Sequence, residues 1–165
     1  MVAFRSNWFI PISVAFVIVL VGIAAAITHP LASIQSEGVV RDVATAFVAS
    51  EKNVRHSMPG VALKQAIDTN FGPFVASTLL QQWHDDPALA PGGTGFVDVP
   101  DHIAISTVVP QGAGYIVAGS IVYSNNKTTT TAAHTRPVII FFVKESGTWK
   151  IAAYQEQVGD SALVI

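Results

Sequence analysis

The chain has 165 residues, of which 50 % are hydrophobic and 12 % charged, with a net charge of −2 and no cysteine. Charged residues make up roughly a quarter of an ordinary soluble domain, so the apolar excess needs a location. The near-neutral balance excludes a basic field for nucleic acid, and the missing thiol excludes disulfides, Cys-containing zinc sites and thiol catalysis.

The apolar excess lies at the N-terminus. Between Arg5 and Glu37 no charged residue occurs, and the run "WFIPISVAFVIVLVGIAAAI" extends from Trp8 to Ile27. A bilayer core of about 30 Å takes about 20 helical residues, so this run fits one span. Its apolar surface includes Trp8, Phe9, Ile10, Phe16, Leu20 and Ile27, with Trp8 at the level of the headgroups. Arg5 flanks the run on its N-terminal side, which places residues 1–7 in the cytoplasm and the rest of the chain outside. The rival reading is a cleaved signal peptide, with Ala24 and Ala26 as the small-x-small site. Both readings export the same domain.

Residues 28–35 read as a tether, residues 36–158 as the exported domain and residues 159–165 as a tail. Val40, Val43, Ala44, Phe47 and Val48 recur at helical spacing, with Ser36 as the expected N-cap. A second helix is expected in "GVALKQAIDT". A third is expected in "GPFVASTLLQQWHDD", with Pro73 in its first turn and Pro87 as its stop. "PALAPGGTGFVDVPD" then reads as a loop of about 15 residues. From Asp101 the period changes to two, and four strands follow. "HIAISTVV" places Ile103, Ile105, Thr107 and Val109 on one face; "YIVAGSIVYS", "TRPVIIFFV" and "TWKIAAYQEQ" are the next three.

Helices before an antiparallel meander predict an α+β domain in which helices pack on a curved four-stranded sheet behind a transmembrane helix. The third strand is apolar on both faces: Val138, Ile140 and Phe142 on one, Ile139, Phe141 and Val143 on the other. Such a strand is covered on both faces. The domain's own helices supply one cover. A curled sheet, the long loop or a partner subunit supplies the other.

The polar candidates each have a plain structural reading. His84, Asp85 and Asp86 are consecutive on a helix and point about 100° apart, so they do not converge on one ion. Asp98, Asp101 and His102 mark a solvated strand start, His134 and Arg136 a polar strand stripe, and His56 a loop between helices. Tyr115, Tyr123 and Tyr154 supply phenols, but no carboxylate stands mid-strand among the apolar positions; Glu156 is the nearest. No catalytic residue, cofactor or metal ligand is therefore expected. Alternation places Lys150, Tyr154 and Glu156 in one row, and with Tyr123 these form the expected protein-contact surface.

Gly147, Trp149, Lys150 and Ile151 form a final "G-x-W-K-I" strand behind the apolar strand Val138–Val143. With three preceding helices and a curved meander, residues 36–158 resemble the nuclear-transport-factor-2-like (cystatin-like) superfamily. Joined to one N-terminal span, the chain is similar to the inner-membrane assembly subunit of type IV secretion and conjugation systems. That resemblance implies a single-pass protein of the bacterial inner membrane with a non-catalytic domain in the periplasm. It implies self-association and contacts with other subunits of the membrane complex. Two alternatives stand beside it: an exported small-ligand binder or enzyme with an apolar cone pocket, and an Mce-associated accessory protein of a lipid importer.

Overall fold

The computed structural model describes residues 30–93, 98–125 and 134–157. The apolar run Trp8–Ile27 and the tail 159–165 lie outside the described residues, as does most of the threonine run. Among the described residues no helix is long and apolar enough to cross a membrane.

The fold is α+β. Among the described residues three helices, α1 (Pro30–Glu51), α2 (Gly60–Phe71) and α3 (Ser77–Asp85), precede four strands. These are β1 (Asp98–Gln111), β2 (Gly114–Asn125), β3 (His134–Glu145) and β4 (Thr148–Glu156). They form one antiparallel sheet in the order β1-β2-β3-β4. Each tight connection has turn chemistry that fits: Ser146 and Gly147 both have positive φ between β3 and β4, the geometry that matches strand twist in a two-residue hairpin.

α1 forms because Val40, Ala44, Phe47 and Val48 make one apolar stripe, and all four are fully buried. It begins six residues earlier than the expected Ser36, so residues 30–35 belong to the helix and not to a tether. On α2 the stripe is Leu63, Ile67 and Phe71; on α3 it is Leu79 and Trp83. α3 is shorter than its sequence pattern. Residues 74–76 leave the helix and run beside β4 instead, with the Ala76 amide donating to the Ile151 carbonyl (2.8 Å) and the Ile151 amide to Phe74 (2.9 Å). Lys150 reinforces this cover by donating to the carbonyls of Gly72 and Pro73. The β4 edge is thereby covered at Ile151, and β1 is the other edge of the sheet.

The first turn of α3 is capped from the sheet. Glu145, at the end of β3, accepts from the Ser77 hydroxyl (2.7 Å) and amide (3.2 Å). A carboxylate at a helix N-terminus is favoured by the free amides there, and the Ser77 hydrogen bonds hold the Glu145 carboxyl below its ordinary range.

Three bulges set which residues face the helices. Asp101 and Ser106 are extra residues on β1 relative to β2, and Ala152 is extra on β4 relative to β3. A bulge reverses the alternation beyond it. Val108 therefore packs on the core while Val109, expected to share a face with Ile103, is exposed. The inner rows read across the sheet as Tyr115–Phe142–Ile151, Val117–Ile140–Tyr154 and Gly119–Val138–Glu156, then Ile121–Arg136 and Tyr123–His134. α1 lies across this face, touching β1, β2 and β4. One end of the inner surface is apolar, and the other is polar.

Candidate functional site

The polar end gathers residues from four elements. From β2 comes Tyr123, from β3 Arg136 and His134, from β4 Tyr154 and Glu156, and from the last turn of α1 Glu51. Glu156 is the hub. The Tyr123 hydroxyl donates to one of its oxygens, Arg136 reaches the same oxygen at 3.4 Å, and the Tyr154 hydroxyl donates to the other at 3.2 Å. Aromatic faces frame the hub. The Arg136 guanidinium lies 4.6 Å over the Tyr123 ring, and His134 stacks on the same ring at 4.8 Å, nearly parallel. Tyr154 meets Phe47 of α1 edge to face at 5.5 Å.

Glu51 is the unusual member. It is fully buried, and neither carboxylate oxygen has a hydrogen-bond partner. Removing a carboxylate from water without compensation costs on the order of several kcal/mol, and such a group keeps its proton instead. Burial accordingly drives its carboxyl well above the ordinary range, and the nearby Glu156 adds to that; the Tyr154 hydroxyl opposes the shift without forming a well-shaped bond to it. Its place at the C-terminal end of α1, the negative end of the helix dipole, disfavours ionisation further. The phenols respond in the same sense. Burial, followed by the neighbouring carboxylates, raises both Tyr123 and Tyr154 above the ordinary phenol range.

The expected contact surface is thus redistributed. Tyr123, Tyr154 and Glu156 face the helices and not solvent, and Lys150 is engaged by the backbone at Gly72 and Pro73. The Ala152 bulge is the reason: it puts Ile151 and Tyr154 on one face although their spacing is odd. The other candidates stay apart. His84 of α3 pairs with Asp68 of α2 at 2.7 Å, Asp85 with Gln81, and Asp86 caps the short 3-10 turn Pro87–Leu89. His102 contacts its neighbour Asp101 at the exposed edge, and His56 sits in the α1–α2 connection, its amide donating to Gly93. Among the described residues no group of three His, Asp or Glu side chains is placed to hold a metal.

Glu51 is the residue that sequence reading missed. Its signal was present, because Ala44, Phe47, Val48 and Glu51 continue one stripe at seven, four and three residues. The class defined by this geometry is an α+β domain with a three-helix layer on an antiparallel meander and an acid–tyrosine cluster between the layers. No known family, curated protein or solved structure matches the chain.

Proposed function

We propose that the protein is a membrane-anchored, non-catalytic assembly subunit of a bacterial secretion or conjugation channel, working through contacts of its exported domain. The observation that supports this reading is the outer face of the sheet. The inner row of β3, Val138, Ile140 and Phe142, is buried, whereas Ile139, Phe141 and Val143 on the outer face are only partly buried in the single chain. Phe141 stands between Ile116 and Ala153 on this surface, and Ile139 beside Ala118. A contiguous apolar sheet face is suited to another protein surface, and a second copy of the chain is the proposed partner. Anchorage rests on the apolar run Trp8–Ile27.

The expected result is that the detergent-solubilised full chain sediments as an oligomer. Phe141→Lys should weaken self-association at least about tenfold, since about 1.4 kcal/mol is a factor of ten and a charge at an apolar contact costs more than that. A wild-type chain that stays monomeric at high concentration, and captures no membrane subunit, would defeat the proposal.

One observation favours a second reading, an exported small-ligand binder or enzyme: a buried acid stands with two phenols between helix and sheet. Against it, the same inner surface is packed with Phe47, Phe71, Trp83 and Phe142. Native mass spectrometry of the purified protein separates the two readings. A small molecule that copurifies, and is lost in Tyr154→Phe, would favour the second.

A further inference from the structure

The buried cluster carries an inference that is independent of what the outer face contacts. We propose that Glu51 is a proton-operated latch: protonated, it lets the last turn of α1 rest on β4, and ionised, it drives that helix end off the sheet.

Glu51 is the last residue of α1 and lies on the helix's buried stripe with Phe47 and Val48. The chain leaves the helix immediately, turning through Asn53 and Val54, whose amides donate to Ser50 and Glu51 carbonyls at 3.0 Å. A terminal turn is the part of a helix that detaches at least cost, because fewest hydrogen bonds hold it.

The charged and titratable groups around this turn come from several elements: on β1, which α1 also touches, Asp101 and His102 pair with each other at the exposed edge, and Arg55 follows in the α1–α2 connection, where its backbone bridges to Gly93. β4 presents Tyr154 and Glu156, and Glu156 opposes a second negative charge. β2 presents Tyr123, whose proton is already committed to Glu156. β3 presents Arg136, which is directed at Glu156 and the Tyr123 ring, and His134, which is stacked on that ring. α2 and α3 present Phe71 and Trp83 through Phe47, and neither titrates. Tyr123, Arg136 and Tyr154 all hydrogen-bond Glu156, and Tyr154 opposes the raised Glu51 carboxyl without bonding it; the Glu51 carboxylate oxygens have no hydrogen-bond partner. A neutral acid is tolerated there; a carboxylate is not.

The sign follows from linkage. The folded-state pKa of Glu51 is raised above its unfolded value, so the closed form binds more protons than the open one. Closure is fully favoured below the ordinary glutamate range. It weakens as pH climbs from there toward the raised value. Ionisation of the two tyrosines at alkaline pH acts in the same direction.

The test is amide hydrogen exchange on the full chain in detergent across pH, corrected for intrinsic exchange. Opening of residues 48–52 should increase with pH by up to about tenfold per unit, the limit for one proton. Glu51→Gln, which keeps shape and cannot ionise, should hold the opening constant. His134→Gln should leave the response in place. Parallel pH profiles in wild type and Glu51→Gln would overturn the latch, and so would loss of the response in His134→Gln. If Glu51→Gln does not fold, carboxyl carbon shifts of labelled wild-type protein decide. One glutamate titrating well above the others supports the latch, and all titrating near the ordinary value of about 4.3 refutes it.

Discussion

Replacing Phe47 by alanine is expected to lower the unfolding free energy by about 3–5 kcal/mol. The residue is fully buried and its ring is the meeting point of every layer. It contacts Phe71 of α2 at 5.0 Å, Trp83 of α3 at 6.3 Å, Phe74 of the β4-covering segment at 6.4 Å and Tyr154 of β4 at 5.5 Å. Truncation loses the transfer free energy of the ring, and it leaves a void that the four surrounding aromatic rings cannot fill without leaving their own positions. Domains of this size are stable by about 5–15 kcal/mol, so the loss is a large share of the total. Chemical denaturation should show a lower midpoint with an unchanged slope, because the native fold is retained and only its stability falls. Phe47→Leu keeps much of the volume and should cost clearly less. A shift below about 1 kcal/mol for Phe47→Ala would mean that α1 is not docked on the sheet through this ring.

The same residue shows what could be read from sequence alone. The α1 stripe depends on a period that local sequence carries in full, so Val40, Ala44, Phe47 and Val48 were legible as a buried face. The four strands were legible for the same reason, and so was the doubly apolar character of β3. The facing of β4 was not. Alternation puts Lys150, Tyr154 and Glu156 in one row, but the extra residue Ala152 sends Ile151 and Tyr154 to the same side. A bulge is fixed by pairing with a distant strand, and nothing in "TWKIAAYQEQ" marks it. Asp101 and Ser106 on β1 have the same effect on the row that begins at Ile103. The start of α3 was hidden in a similar way: helical spacing continues back to Val75, but hydrogen bonds to Ile151 draw that segment out along β4. Tertiary pairing overrides local period in each case.

The site was obscured by those slips and by one habit of reading. A search for an acid among the strand positions passes over Glu51, because a charged residue ending an amphipathic helix is ordinarily solvated. Only the packing of α1 across β4 turns that position into an interior one. Glu156 was visible as the nearest carboxylate but looked peripheral, since it ends its strand. The inner face extends past it to Tyr123 and His134, because β2 and β3 are longer than β4 at that end. The polar cluster is therefore interior even though its hub is a strand terminus.

Glu156→Ala is expected to have the second large effect, a loss of about 3 kcal/mol. The Glu156 side chain is 13 % exposed and accepts from two phenols and a guanidinium. Hydrogen bonds to a charged acceptor contribute about 1.5–3 kcal/mol, and a buried donor left without its acceptor costs about 1–3 kcal/mol. The sum is not additive here, because alanine also removes the charge that opposes ionisation of Glu51. That opposing gain has its own signature. In Glu156→Ala the upper end of the window over which rising pH destabilises the fold should move toward lower pH, since one of the causes that raise Glu51 is gone, while its lower end stays at the unfolded value. Glu156→Gln keeps an acceptor for the phenols and should lose less stability, while it moves the upper end of the window in the same direction. Thermal unfolding of the three proteins from about pH 5 to 9 separates these contributions, with the ordinary glutamate value of about 4.3 as reference. If Glu156→Ala unfolds at the wild-type temperature and with the wild-type pH profile, Glu156 is not the hub of the cluster, and the coupling between α1 and β4 must lie elsewhere.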